Sequence, residues 1–340
     1  MPSPGKLMKA LYVDREHRTL VLSEIPKPEN GEVLIKNVID WKIPYYMPPY
    51  EAVEGNDVAG TVESVGPGVS RFSKGDRVAA FTPMRTANKY GAYAEYTVSK
   101  EPTTFPIRDN TTFENAAALP LAYATAAIGL YKRLGLPTPD EPATDKTPIL
   151  VYGAATTVGV YVTQLAKKSG LYVIGVAGKS CKHAEQYGCD KIIDYRKKSN
   201  EELVDEIKKA GDGKIKHVYD CVSENGTMDI IVDVLKENGG TFTYVLTYDD
   251  KTLASLPNNV KPVRTLVATA HQNEADFVQE YFYKVSKWID KGEFKAQKTT
   301  LIPEGLVGVA EGLRRLQDGE AHAEKFIYRV SETPESAVQK

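Results

Sequence analysis

The chain has 340 residues, 42% of them hydrophobic, with 43 Lys and Arg against 45 Asp and Glu for a formal charge of −2. That length has room for about two domains whose cores need no disulfide or metal staple, and the balanced charge gives no sign of a broad basic footprint for nucleic acid. The three cysteines, Cys181, Cys189 and Cys221, give no disulfide framework, no run is apolar for long enough to cross a bilayer, and the N-terminus lacks a signal-type apolar core, so the expectation is a soluble cytoplasmic protein without a membrane partner.

Before Ala116 the pattern is one of short strands and glycine turns. Residues 8–13, 32–38, 60–65, 77–80 and 92–98 read as strands, with Gly66-Pro67-Gly68 and Lys74-Gly75-Asp76 as turns between them, which predicts a partly closed β-barrel with few exposed edges. Between the second and third strands, Tyr45, Tyr46 and Tyr50 stand among Pro44, Pro48 and Pro49. Either these phenols line the mouth of an apolar pocket and offer a hydroxyl to a substrate carbonyl, or they pack the loop against the barrel.

From about residue 123 the rhythm changes to strand-helix pairs. A helix over 125–134 is followed by a proline-rich surface connection, 136–146. Then Ile149-Leu150-Val151-Tyr152-Gly153-Ala154-Ala155-Thr156-Thr157-Val158-Gly159 reads as a buried strand, a small-residue turn and a helix start, the arrangement that brings backbone N–H groups and a helix dipole onto a dinucleotide pyrophosphate. Ala155 stands where a strict fingerprint has its middle glycine, so the phosphate approaches less closely, and the hydroxyls of Thr156 and Thr157 offer compensation.

A second strand, 171–177, runs into Gly178-Lys179-Ser180-Cys181-Lys182 without the acid that accepts from a ribose 2′-OH. Lys179 is the best partner for a 2′-phosphate, with Ser180 as a second donor, and Tyr195 and Arg196 after the strand 191–194 close the pocket. NADPH is favoured over NADH. A helix 201–210, strand 217–221, helix 227–235 and strands 241–246 and 263–269 complete a doubly wound Rossmann-type parallel sheet over residues 123–270. The remainder, helix 276–291, strand 298–301, helix 305–317 and strand 325–330, returns to the first domain, so that residues 1–122 and 271–340 form one unit and the α/β cofactor domain is inserted in it. Cys221 ends a strand near the nucleotide edge and reads first as a packing thiol. The five histidines form no ligand spacing and no nucleophile-base pair.

Gly55-Asn56-Asp57-Val58-Ala59-Gly60-Thr61-Val62, Val65-Gly66-Pro67-Gly68-Val69, Gly75-Asp76-Arg77-Val78, Gly91-Ala92-Tyr93-Ala94-Glu95-Tyr96 and Ala118-Leu119-Pro120 resemble the medium-chain dehydrogenase/reductase superfamily over nearly the whole chain. Asp40-Trp41-Lys42, the Gly-Asn-Asp element and Tyr152-Gly153-Ala154-Ala155-Thr156 resemble its fungal branch of zinc-independent enoyl reductases and quinone-reductase-like proteins. The resemblance implies a GroES-like catalytic domain and NADPH-dependent reduction of a quinone or of a carbon–carbon double bond conjugated to a carbonyl. Asn56 follows Gly55 where the zinc members carry a ligand histidine, and no cysteine precedes Cys181, so no metal is expected.

Lys42 and Thr125 match places where such reductases hold the nicotinamide ribose or ring. The plain alternatives are a solvent-facing lysine and a threonine bonded back into its own helix. With Tyr46 and Tyr50 they make the expected catalytic set, lining a cleft that suits a small apolar carbonyl substrate. The segment 38–40 is shorter than in relatives. Three functional readings follow: a reductase of free small molecules, a trans-acting enoyl reductase partnering a polyketide synthase, and a nucleotide-binding regulatory protein impaired in catalysis. A homodimer is compatible with each.

Overall fold

A computed structural model describes residues 6–13, 18–41 and 52–337. The chain divides into two compact units, Met1–Leu121 with Ala268–Lys340, and Ala122–Val267.

The first unit opens with strands β1 (Leu7–Val13), β2 (Arg18–Glu24), β3 (Glu32–Trp41), β4 (Ala52–Val53), β5 (Asp57–Val65), β6 (Arg77–Phe81), β7 (Tyr96–Lys100) and β8 (Thr104–Pro106), and then helix α1 (Phe113–Ala117). β1 pairs with β2 and β4 in a small antiparallel sheet. β3 is the hub of the larger sheet, antiparallel to β5 and β7, with β6 and β8 beyond β5. The short segment 38–40 lies inside β3, where Asp40 stands opposite Val58 and Tyr328 in register. The strand expected over 92–98 begins only at Tyr96. Before it the backbone is spent on cross-contacts, Tyr93 N–H donating to Glu54 and Ala94 bridging Ala10.

The second unit carries α2 (Pro120–Ala127), β9 (Pro148–Tyr152), α3 (Thr157–Lys168), β10 (Tyr172–Ala177), α4 (Cys181–Glu185), β11 (Lys191–Asp194), α5 (Asn200–Ala210), β12 (His217–Asp220), α6 (Thr227–Leu235), β13 (Gly240–Tyr244), α7 (Asp250–Ala254) and β14 (Val260–Arg264). Its six strands are parallel in the order β11-β10-β9-β12-β13-β14, so the chain reverses direction across the sheet between β9 and β12, the point at which such sheets bind ligands. Leu150, Ile174, Val218, Ile231, Leu235 and Phe242 are fully buried between sheet and helices. Burial on both sides is why these strands read as continuous apolar runs. The last strand starts three residues before the expected 263, because Pro262 is tolerated on an edge strand, and residues 267–271 form a 3₁₀ turn instead. The helix expected over 125–134 is α2 running into a π-helical stretch, Ile128–Arg133.

The chain then re-enters the first unit as α8 (Ala275–Asp290), β15 (Thr299–Ile302), α9 (Val309–Gln317) and β16 (Lys325–Arg329), the strands joining the larger sheet beside β3. α9 begins at Val309, not 305, since Gly305 takes a positive φ of 55° in the preceding turn. No helix among the described residues is long and apolar enough to cross a membrane.

Candidate functional site

The β9–α3 turn is built for close approach. Gly153 has φ +82°, and a side chain there would run into Val222; at Gly159 a Cβ would lie 2.2 Å from the Gly153 carbonyl oxygen. The Gly153 and Ala154 amides are taken by the Val176 carbonyl, and the Thr156 amide by that of Gly153. The Thr156 hydroxyl is the N-cap of α3, accepting from the Gly159 amide at 3.0 Å. Its role is therefore to shape the helix start. The amides of Ala155, Thr157 and Val158 have no acceptor among the described residues, so three donors at a helix N-terminus are available to an anionic group. This cradle fits a dinucleotide pyrophosphate, with Ala155 in place of the middle glycine.

The residues expected to choose the cofactor converge at the ends of β10 and β11. Ala177 and Asp194 are in register, and the Tyr195 ring lies over Gly178, where an added Cβ would meet it at 2.8 to 3.0 Å. Lys179 is exposed, and Ser180 precedes α4 with its hydroxyl making no capping bond. Arg196 is held by Asp194, Nε at 3.0 Å from Oδ1 and Nη2 at 2.5 Å from Oδ2. The Arg196 guanidinium holds the Asp194 carboxyl down at about 2. The acid absent from the end of β10 is thus supplied one strand over, already engaged by an arginine. The residues at the end of the second strand carry no signal of Asp194.

Across the turn, β12 delivers Asp220 and Cys221. Cys221 is buried and its thiol is pushed well above the ordinary cysteine range by burial, so it serves as packing beside Gly153. Asp220 is fully buried and accepts from the amides of Val222 and Ser223 and the hydroxyls of Thr227 and Tyr248. Burial raises its pKa against the pull of those four bonds. The network shapes a loop in which Ser223 and Asn225 have φ of 60° and 56°, and it places Val222 against Gly153. Sequence spacing alone does not signal it. Thr125 is buried in the last turn of α2, and its carbonyl accepts from the Tyr219 hydroxyl at 2.7 Å.

In the first unit, Lys42, Tyr45, Tyr46 and Tyr50 lie outside the described residues. The neighbouring Gly55-Asn56-Asp57 element is tightly held. The Asn56 carbonyl accepts from the Thr82 amide at 2.8 Å, and Asp57 is fully buried with Lys325, whose ammonium donates to the Asp57 carboxylate and to the carbonyls of Ala117 and Ala118. Glu54, raised in pKa by burial, pairs with Arg85 at 2.7 Å. Both carboxylates that flank Asn56 are committed to cations, and among the described residues no three His, Cys, Asp or Glu side chains group to hold a metal ion. This donor set does not fit zinc. His271 packs on Phe81 at 4.6 Å between ring centroids, and neither ring nitrogen has a partner among the described residues.

Residues 157–290 match the zinc-binding dehydrogenase family and residues 30–109 the alcohol dehydrogenase GroES-like domain. The trans-enoyl reductase fsr4 of Gibberella fujikuroi is 36% identical over 312 residues, covering 87% of this chain and 91% of its own length. Trans-enoyl reductase fsa3 of a Fusarium species is 33% identical, covering 87% and 88%. Among solved structures, a quinone oxidoreductase of Pseudomonas syringae superposes with a TM-score of 0.75 at 24% identity, covering 94% of this chain and 99% of its own, and a dehydrogenase-like protein of Rhizobium etli with 0.79 at 20% identity, covering 96% and 99%; these two speak for the fold alone. The parallel sheet with its glycine turn, the GroES-like unit and the near full-length similarity to fungal reductases together place this chain in the medium-chain dehydrogenase/reductase superfamily, on its trans-enoyl-reductase-like, zinc-independent branch.

Proposed function

We propose that this protein is an NADPH-dependent enoyl reductase. Membership of the branch carries the class, an oxidoreductase using NAD(P)H to reduce an enoyl, enone or quinone substrate. When bound, the cofactor supplies the hydride. The residues of the second unit hold it: the Ala155, Thr157 and Val158 amides at the pyrophosphate, Gly153, Ala154 and Thr156 shaping the turn that presents them, Cys221 and Val222 packing the far side of that turn, and Thr125 on the nicotinamide side. Lys179 and Ser180 take the 2′-phosphate, with the Tyr195 ring as one wall and Arg196 beside it. Lys42 assists Thr125 at the nicotinamide ribose, and a phenol, Tyr46 or Tyr50, donates to the substrate carbonyl, where negative charge grows as the double bond is reduced.

The observation that carries this reading is the fsr4 similarity over 91% of that enzyme, and the three available amides at the β9–α3 turn support it. The name that the relatives share favours the trans-acting form over the reductase of free small molecules, so the substrate is an apolar enoyl thioester presented by a polyketide synthase. Three unpaired thiols, Cys181, Cys189 and Cys221, suit the reducing cytoplasm. The test is NADPH oxidation with matched α,β-unsaturated substrates, offered as free enones, as small thioesters and on a carrier domain. Turnover highest on the carrier supports the trans-acting form; equal turnover on free enones returns the small-molecule reading. Tight NADPH binding with no oxidation in any arm would make the protein a nucleotide-binding one without catalysis.

A further inference from the structure

The Thr125 backbone carries a contact that cofactor binding does not require. Directly after Thr125, α2 widens into the π-helical stretch Ile128–Arg133, and such widened turns concentrate at functional positions. The Tyr219 hydroxyl, arriving from β12, donates to the Thr125 carbonyl at 2.7 Å with both residues buried. Its ring presses on Gly129, where an added Cβ would stand 2.3 Å from it, so strand and helix meet this closely only because residue 129 lacks a side chain. Burial keeps the Tyr219 phenol protonated, well above the usual tyrosine range, which leaves it a donor toward Thr125. The same strand continues through Asp220 and Cys221 into the loop whose Val222 packs on Gly153.

We propose that Tyr219 is a positioning residue that holds Thr125 in register with the phosphate-binding turn. It acts on the reaction only through Thr125, so the proposal rests on the reading of Thr125 as a cofactor contact. One buried hydroxyl from β12 reaches the Thr125 carbonyl while its ring rests on Gly129, which fixes the helix along its axis as well as in depth. A regular α-helix packed on apolar side chains is free to slide by fractions of an ångström; a buried hydrogen bond to one carbonyl is not.

The test is a double-mutant cycle on the full chain with Tyr219→Phe, Thr125→Ala and the double variant, reading NADPH Kd, kcat and KM on an enoyl thioester, and the thermal midpoint. Tyr219→Phe keeps the ring on Gly129 and is expected to lower kcat/KM about 10-fold, while in the Thr125→Ala background the same change alters it less than about 2-fold. Gly129→Ala, whose Cβ would stand 2.3 Å from the Tyr219 ring and shift the phenol from the Thr125 carbonyl, is expected to show a loss with the same dependence on Thr125, and it serves where Tyr219→Phe folds poorly. Equal factors in both backgrounds, accompanied by a lower midpoint, would show a structural role and overturn the proposal. If Thr125→Ala changes neither NADPH Kd nor kcat/KM, the cofactor reading of Thr125 fails first, a pattern distinct from an impaired Thr125→Ala with additive Tyr219→Phe.

Discussion

Replacing Lys325 by Met tests the buried pair that fastens the Gly55-Asn56-Asp57 element. Lys325 and Asp57 are both 0% exposed and lie 268 residues apart in sequence, and the ammonium also serves the Ala117 and Ala118 carbonyls at 3.1 and 3.3 Å, while the Asp57 carboxylate accepts from the Leu121 amide at 2.6 Å. Methionine keeps the length and apolar stem, so little volume is lost, but a buried carboxylate loses its countercharge. Breaking such a pair from one side costs about 3 to 5 kcal/mol. For a unit of this size each kcal/mol is worth roughly 2 to 4 °C, so a fall of roughly 6 to 20 °C in the midpoint of the first unit is expected. The assay is urea and thermal unfolding followed by circular dichroism, with Asp57→Asn/Lys325→Met alongside. The double variant removes both charges at similar volume and is expected to recover at least half of the loss. A single variant within about 1 kcal/mol of the parent, or a double variant no better than the single, would refute the argument that charge compensation, and not packing, holds this element.

Lys179→Ala is expected to weaken NADPH binding by about 10- to 100-fold, the worth of a charge-assisted bond, with NADH nearly unchanged; equal losses for both cofactors in a fluorescence titration would show that the 2′-phosphate sits elsewhere. Gly153→Val meets both a positive φ and the Val222 side chain, so cofactor affinity is expected to drop more than about 10-fold in the same titration; unchanged affinity would remove the turn from the site. Burial, aided by the nearby Lys100 charge, lowers the His271 pKa to about 4 from an unfolded value of 6.5. A depressed histidine contributes its full stability above pH 6.5 and loses it as pH falls toward 4, a total of about 3 kcal/mol that His271→Phe should flatten. Identical pH slopes for parent and variant, measured by urea unfolding, would refute this.

Much of this protein was legible in the order of its residues. Alternating strands and helices from residue 149 onward, with Gly153 opening a turn and Gly159 closing it, specify a parallel cofactor sheet, because a strand buried on both faces must be apolar throughout and a turn with positive φ selects glycine. Asn56 after Gly55 was equally readable as a departure from zinc ligation. Tertiary structure decided what depends on partners distant in sequence. Thr156 proved to be a helix cap, Arg196 proved to be held by Asp194 across the strand end, and the segment 38–40 proved to be β-strand pairing with β5 and β16. The Lys325–Asp57 pair and the Tyr219–Thr125 bond bridge 268 and 94 residues. Neither has a local signature, since a lone lysine or tyrosine in a strand carries no mark of what will face it. Only the folding of the sheets brings those groups out of water together, and there the low dielectric makes their pairing compulsory.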